Sequence, residues 1–423
     1  MKILSINESF NFQSMVAYAY LIILPLAIRI SGQIYLQDIF VPIMGLFCLF
    51  IIWKNPSEII KTPFVFLSIF IFTALLSTMF NYSGILDLYE ISIFMYMFVL
   101  VIFFANVKLS GKFLYFYGLA VLSIMLIYCF SEFFLGEAKV YKAYSSSTLD
   151  FISRRFYFTF NHPNLTGSFY ALPFLCLILG AKFMQSKNYR RIAIMAFFLL
   201  IFAIPLVLTA SKHMLISIAL FLGAISASTI WPKKLKNSIR YLCYALVSGI
   251  FIFFLLTVFF PFFPLNSEFP YFNCSTPGMY TIHQDIYAKS LCSGWKTLFL
   301  GCGKENMISI YPAMANYDYV HIILAQYKQE FLMPNFISYM DAHNEYLNIG
   351  VSFGIISLIS MYLFWFFLPF HNDTRSAFAK NIILFFIISI FMVSFWDDIL
   401  SKRWIWCAAG IIYSFKDREN ESL

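Results

Sequence analysis

Residues 339–358 read YMDAHNEYLNIGVSFGIISL, and they join a polar cluster to a long apolar segment. The cluster DAHNE at 341–345 places His343 between two acids, and the apolar segment continues to about Phe370. A mainly apolar run of roughly 18 or more residues is long enough to span a bilayer. The stretch therefore predicts a membrane-spanning helix that begins at a water-facing cluster containing a histidine.

The rest of the chain has the same apolar character. Of 423 residues, 61% are hydrophobic and 12% are charged, whereas a soluble domain is about half apolar and about a quarter charged. This composition predicts an all-α fold, a polytopic transmembrane helical bundle of about 12 spans. The predicted spans are 15–30, 34–53, 63–81, 85–106, 113–134, 166–184, 192–210, 213–231, 241–262, 345–369, 381–396 and 402–415.

Lys and Arg residues in the short loops predict the orientation, because short cytoplasmic loops carry an excess of these residues. Basic residues concentrate in the loops near 54–61, 187–191 and 233–240, and such loops alternate consistently along the predicted spans. The net charge of +8 is therefore a topology signal. Because the charges are spread over separate short loops, they do not indicate a nucleic-acid surface.

The predicted spans divide the chain into three parts. Residues 1–262 contain the first nine spans and an outer loop at 135–165. Residues 263–344 form a large outer loop, predicted to be a subdomain of short helices, and 345–423 contain the last three spans and a cytoplasmic tail. Loops this long usually either function or fold as a unit. The cytoplasmic segments are short and carry no nucleotide-binding motif, so we expect the functional site on the outer side.

His343 is the first candidate for chemistry. On a helix, Leu347, Gly350, Gly354 and Ser357 share one face with it. Gly350 and Gly354 are spaced as a pair of small residues that lets another helix approach closely, so the face would hold the histidine in a fixed place. The alternative is a histidine that only caps the helix. Asn344 has two roles open to it as well, contact with the ring or a substrate, or capping of the helix start.

Cations on the outer side are the second group of candidates. Arg154 and Arg155 precede an aromatic run in SRRFYFTFNHPNLTGSFYALPFL, 153–175, and arginine binds diphosphate oxygens with its planar fork. Contact with lipid head groups is the alternative for both. Lys212 lies in VLTASKHMLIS, 207–217, in a very short outer turn. A charge at this depth faces a cavity or a polar partner, or its side chain extends to the surface.

The large outer loop contains HQDIYAKSLCSGWKTLFLGCGKENM at 283–307, which predicts a helix followed by a glycine turn. The FLGCG sequence does not have the strand and helix context of a phosphate-binding loop. Three cysteines, Cys274, Cys292 and Cys302, lie in this loop. Two of them can pair in an oxidising compartment, and the sequence leaves open which two. Their spacing does not suit a zinc site.

Taken together, these segments resemble the O-antigen ligase and O-antigen polymerase superfamily of bacterial envelope glycan transferases. The resemblance rests on RRFYFTFNHPNLTGS, on LTASKHMLIS, and on GCG followed by DAHNEYLNIGVSFGIIS. The family pattern is His-Asn, nine residues, Gly, two residues, then Gly, Thr or Tyr. Here His343 and Asn344 are followed by Gly354 at the expected distance, and Ser357 stands at the last position. Lys212 and His283 stand where the family usually has arginine.

The resemblance implies an enzyme of the bacterial inner membrane whose active site faces the periplasm. A glycan on undecaprenyl diphosphate would be the donor, and an acceptor hydroxyl would attack its anomeric carbon, with no cofactor or metal required. His343 would act as the base beside Asn344. The diphosphate would be bound by four candidate cations, Arg154, Arg155, Lys212 and His283. Partners would be membrane lipid, and either a lipid A–core acceptor or a chain-length regulator, with no nucleic acid.

Three functions remain open on this basis. A polymerase would join O-antigen or capsule repeats on the same lipid, and the replacement of two family arginines favours it slightly. A ligase would move the finished glycan onto lipid A–core. A flippase or other transporter of lipid-linked oligosaccharides would need intramembrane charges along a central path and paired halves, and neither is visible in the sequence.

Overall fold

The computed structural model describes residues 12–31, 34–58, 61–134, 141–142, 154–155, 158–159, 163–183, 294–306, 345–370, 377–394 and 402–415, with isolated residues between 201 and 252 and at 400. This part of the chain is mostly α-helical, with two short antiparallel hairpins. The chain divides into two compact units. The first contains residues 1–56, 99–219 and 403–423, and the second contains 57–98 and 220–402.

The described elements follow one another along the chain as helices α1 to α11 and strands β1 to β4. They are α1 (Phe12–Ile23), β1 (Arg29–Ser31), β2 (Ile34–Tyr35), α2 (Val41–Lys54), α3 (Thr62–Asn81), α4 (Ile85–Asn106), α5 (Gly111–Phe134), β3 (Tyr141–Lys142), β4 (Arg154–Arg155), α6 (Pro163–Phe169), α7 (Ala171–Phe183), α8 (Trp295–Leu300), α9 (Glu345–Phe367), α10 (Ala377–Val393) and α11 (Arg403–Ser414). Short 3₁₀ turns lie at Leu24–Leu26, Leu36–Phe40, Pro56–Glu58 and Leu368–Phe370.

Five helical segments in the described chain are long and apolar enough to cross a membrane. They are Leu36–Lys54, Thr62–Asn81, Asp87–Asn106, Gly111–Ser131 and Glu345–Phe367. Each falls within a few residues of a predicted span. Shorter apolar helices lie at Phe12–Leu26, Thr166–Ala181 and Ile382–Phe391. The predicted spans 192–210, 213–231 and 241–262 lie largely outside the described residues, so the total of twelve stays a prediction.

The first predicted span, 15–30, is shorter in the structure. The α-helix ends at Ile23, and a 3₁₀ turn that contains Pro25 follows it. Ala27 then adopts a left-handed backbone with φ 46°, and β1 and β2 form a hairpin. Proline lacks the N–H that a continuing helix needs, so hydropathy alone overestimates the length of this helix.

In the first unit, α5 and α7 pack with their backbones unusually close. A Cβ atom at Gly118 would overlap the carbonyl oxygen of Pro173, and one at Gly180 would overlap the backbone nitrogen of Tyr115. Glycine at these two positions removes the side chain that would separate the helices. Small residues have this role in membrane bundles, where lipid supplies no hydrophobic force to pull helices together.

A half-buried ion pair joins two segments of the first unit. The Arg403 guanidinium lies 2.9 Å from a carboxylate oxygen of Asp38, and the same oxygen accepts the N–H of Tyr35 at 2.8 Å. The guanidinium carbon also lies 4.5 Å from the centroid of the Tyr35 ring. Asp38 therefore ties the start of α11 to the segment that precedes α2.

The second unit contains α3, residues 85–98 of α4, and helices α8, α9 and α10. Helix α9 packs along α3, and α8 packs against both of them. Phe70, Phe94 and Phe353 form an edge-to-face cluster in its core, with ring centroids between 5.0 and 6.3 Å apart. Such pairs are favourable beyond the apolar area that they bury.

Candidate active site

Helix α9, which begins two residues after His343, is interrupted at Gly354. The backbone there has φ 86° and ψ 171°. This region of backbone conformation is essentially restricted to glycine. A helix that is broken inside an apolar span must find other partners for its freed backbone groups, because hydrocarbon offers none.

The freed carbonyls of α9 are satisfied by a turn from the large loop. The N–H of Cys302 donates to the carbonyl of Val351 at 2.7 Å, and the N–H of Gly303 donates to that of Ser352 at 3.1 Å. The hydroxyl of Ser77 on α3 also donates to the Ser352 carbonyl, at 2.9 Å. Residues 301–303 therefore replace hydrogen bonds that an unbroken helix would make within itself.

Glycine is required on both sides of this contact. Gly301 and Gly303 have positive φ angles of 73° and 81°. A Cβ at Gly301 would overlap the carbonyl of Ser352, and one at Gly354 would overlap the carbonyl of Phe299. The glycine turn predicted from FLGCG is therefore present, and its use is to let two backbones meet.

The turn is held by two side-chain amides, one from α3 and one from residue 306, just after the turn. The side-chain amide of Asn81 donates to the carbonyl of Gly301 at 3.2 Å. That of Asn306 donates to the carbonyls of Cys302 at 2.9 Å and Asn81 at 3.2 Å. These bonds close a small network around the C-terminal end of α3, where a helix leaves backbone carbonyls without partners of its own.

Asp87 anchors the next part of the turn. Its carboxylate is 1% exposed and accepts the N–H of Glu305 at 2.9 Å and the N–H of Ser83 at 3.0 Å. A buried carboxylate that accepts backbone N–H groups is compensated for its loss of water. The residue therefore has a structural role in joining the start of α4 to the large loop.

The thiol of Cys302 is buried within this network. It is free of any disulfide, and Cys274 and Cys292 lie outside the described residues. Burial raises the pKa of the Cys302 thiol from its ordinary 9.0 to about 12, and the charge of Asp87 adds to the effect. The thiol is therefore neutral at physiological pH.

The first turns of α9 are held by α10. The N–H of Glu345 donates to the carbonyl of Ser394 at 2.8 Å, and the hydroxyl of Tyr346 donates to the carbonyl of Phe391 at 2.7 Å. The Tyr362 and Phe391 rings stack with centroids 4.1 Å apart. The segment that directly follows the histidine is thus fixed at both ends, by α10 at its start and by the glycine turn at its end.

Four predicted site residues, His343, Asn344, Lys212 and His283, lie outside the described residues. Their roles stay predictions.

Arg154 and Arg155 are described at the level of their backbone. They form β4, which pairs antiparallel with Tyr141 and Lys142 of β3. This hairpin lies in the predicted outer loop 135–165, and the role of the two arginines in binding diphosphate stays a prediction.

Gly350 and Gly354 were predicted to support helix packing on one continuous face with His343. Gly350 is buried in α9, while the break at Gly354 interrupts that face. Ser357, beyond the break, lies 2.8 Å from the Thr73 hydroxyl of α3. The close contact at Gly354 is with the backbone of the large loop.

Sequence reasoning missed the roles of Ser77 and Asn81 as partners of this turn. Both lie in an apolar run, and single polar residues do not change the span that such a run predicts. Their positions near the outer end of a predicted span were the available signal, since polar groups at that depth need partners. Among the described residues, no group of three or more His, Cys, Asp or Glu side chains is arranged to hold a metal ion.

Comparison with known proteins agrees with the resemblance seen in the sequence. The family model described as O-antigen ligase matches residues 195–362. The matched region includes the His343–Asn344 pair, the 301–303 turn and Gly354. No curated protein matches the chain. The family match supports the O-antigen ligase and polymerase superfamily and glycan transfer in general.

Proposed function

We propose that this multi-pass membrane protein, whose residues 195–362 match the family model described as O-antigen ligase, transfers a glycan from undecaprenyl diphosphate to an acceptor hydroxyl on the periplasmic side of the inner membrane. The observation that carries the proposal is the family match across 195–362. It includes both the His343 motif and the glycine turn. The contact of that turn with the break at Gly354 supports the idea that the two motifs act as one site.

In the proposed reaction, His343 accepts the proton of the acceptor hydroxyl as its oxygen attacks the anomeric carbon of the donor. The bond between that carbon and the phosphate oxygen breaks, and its electron pair leaves with undecaprenyl diphosphate. A neutral imidazole is suited to this step because its ordinary pKa is about 6.5. Asn344 would orient the ring or the acceptor.

The charge that develops on the diphosphate needs stabilisation by cations. We assign this role to Arg154, Arg155, Lys212 and His283. Lys212 and His283 keep a possible positive charge where the family has arginine, but they cannot bind two oxygens with a planar fork. This difference is the reason for preferring a polymerase, and a ligase is the second candidate.

The test of the base is His343→Ala, assayed for transfer in membrane vesicles that contain lipid-linked donor. We expect loss of transfer with unchanged protein abundance, because general-base catalysis contributes about 10²–10⁴-fold. His371→Ala, in a predicted cytoplasmic loop, is the matched control and should keep its activity. Normal transfer by His343→Ala would refute the assignment.

A strain that lacks this protein distinguishes a polymerase from a ligase. Loss of a polymerase leaves lipopolysaccharide with single repeats on the core, whereas loss of a ligase leaves bare core and glycan that accumulates on the carrier lipid. Normal lipopolysaccharide would indicate a capsule or another glycan as the substrate. Translocation of donor in reconstituted vesicles without any new glycosidic bond would favour the transporter.

A further inference from the structure

The break at Gly354 makes residues 345–353 a separate piece of helix. In a continuous helix, the hydrogen-bond ladder fixes each turn relative to the next. At Gly354 the backbone leaves helical geometry, so the ladder no longer determines where 345–353 lies. Its position is determined by contacts at its two ends.

One of these ends bonds to the large loop and α3. The carbonyls of Val351 and Ser352 accept three hydrogen bonds, from Cys302, Gly303 and Ser77. The loop can donate two of them only if residues 301–303 are themselves in place. Their place is fixed by Asn81 through the carbonyl of Gly301 and by Asp87 through the N–H of Glu305.

We propose that Ser77, Asn81 and Asp87 are positioning residues for His343. Asn81 and Asp87 hold the turn 301–306 in the break of α9, and Ser77 bonds directly to the Ser352 carbonyl of α9. Together they set the position of 345–353, which begins two residues after the histidine. The inference rests on the proposed function, because the role of His343 does. A displacement of about 1 Å at a reacting group can cost a factor of about 10² in rate, so a loosened turn would lower turnover without touching a substrate.

The side chains concerned suit this role. Asn81 and Ser77 are 9% and 0% exposed, so water does not readily replace the bonds that they make. Each bonds to a backbone group of another segment, Gly301 and Ser352. Two residues of the same types on α4 bond to carbonyls of their own helix, namely Asn106 to Ile102 and Ser92 to Leu88.

The experiment compares Asn81→Ala and Ser77→Ala with the matched controls Asn106→Ala and Ser92→Ala in the full-length protein in detergent. Hydrogen exchange of the peptide 299–306 reports directly on the N–H groups of Cys302 and Gly303. Initial rates of glycan transfer give kcat and KM for the folded fraction, and thermal melting measures stability.

We expect exchange in 299–306 to become faster by about two- to tenfold for Asn81→Ala, the factor for one hydrogen bond of ordinary strength, and to stay unchanged for Ser77→Ala, whose bond is to α9. We expect kcat to fall by roughly 10- to 100-fold, with KM within about threefold of wild type and a normal fraction of folded protein. The controls should show neither change. A purely structural role would lower the amount of folded protein and leave kcat per folded molecule unchanged.

Each result has a definite meaning. Unchanged exchange in Asn81→Ala would refute the holding role, whatever the activity. Faster exchange with normal kcat would refute positioning while the proposed function stands. If the wild-type protein transfers no glycan in an assay where a known transferase does, the proposed function fails and the positioning of a catalytic His343 fails with it, even if the variants loosen the turn.

Discussion

Gly354 meets two demands that no other residue type meets together. Its backbone has φ 86° and ψ 171°, and its α-carbon lies against the carbonyl of Phe299. The sequence singles out this glycine by its distance from His343 and by its spacing from Gly350. It does not reveal the break, because the φ angle depends on a partner segment that is distant in the chain.

Substitution of Gly354 by alanine should therefore destabilise the protein. A non-glycine residue in this backbone region costs on the order of 1–3 kcal/mol, and the overlap with Phe299 adds to it. Gly45→Ala is the matched control, because a Cβ there meets nothing within 4 Å and alanine favours helix. In detergent, the melting temperature of Gly354→Ala should be several degrees lower than that of Gly45→Ala. Equal melting temperatures would contradict the break at Gly354.

Cys302 gives a pH-dependent readout of the same turn. Its thiol is buried and its pKa is raised to about 12, so at pH 10 only about 1% is thiolate, compared with about 90% for an exposed thiol of pKa 9. With the other cysteines replaced, the rate of alkylation of Cys302 should keep rising with pH from 7 to 10.5. The alkylation rate of the cysteine in Gly294→Cys, which lies at an exposed position, should level off near pH 9.

The same pKa shift has a consequence for stability. The folded-state pKa of Cys302 lies above the unfolded value. The contribution of this thiol to the free energy of unfolding is therefore fully present below pH 9 and is lost as the pH rises toward 12. The free energy of unfolding should therefore fall over that window by more in the protein with Cys302 than in a Cys302→Ser variant. An alkylation rate that levels off near pH 9 would indicate that the thiol is exposed.

At the scale of elements, apolar run length predicts where helices lie but not how they are interrupted. The spans predicted at 63–81 and 85–106 agree with α3 and α4 almost to the residue, because each is a long apolar run with polar ends. Helix α9 was predicted as one continuous helix. A hydropathy window averages over Gly354 and Pro25 alike, so it detects neither the break nor the early end of α1.

The α5–α7 contact supports a prediction about helix packing. A side chain at Gly118 would overlap the carbonyl of Pro173 and lie 2.6 Å from the backbone nitrogen of Leu177, and a backbone cannot move aside as a side chain can. We expect Gly118→Val to cost on the order of 1–3 kcal/mol or more and to reduce the amount of folded protein. Gly45→Val is the control, and monodispersity on size-exclusion chromatography is the measurement. A monodisperse Gly118→Val protein with normal melting would contradict the close approach of these helices.

At the scale of the whole chain, two contacts of the first unit join helix ends that are predicted to lie on the same side of the membrane. In the first unit, Thr159 bonds to the carbonyl of Pro25 and Ser14 to that of Lys108. The first pair belongs to ends predicted on the outer side, and the second to ends predicted in the cytoplasm. The loop charges predict which helix ends share a side of the membrane, while the pairing of particular ends depends on packing that a single sequence does not display.

The location of the proposed site depends on this topology, which two exposed positions can test. In a cysteine-free background, Gly294→Cys lies on the predicted outer side and Ser57→Cys on the predicted cytoplasmic side, and both positions are exposed in the structure. A membrane-impermeant maleimide added to spheroplasts should label Gly294→Cys, and it should label Ser57→Cys only after the membrane is permeabilised. The reverse pattern would put the 301–303 turn in the cytoplasm. A lipid-linked donor that is used after its transfer to the outer leaflet could not then reach His343, and the proposed reaction would have to be abandoned.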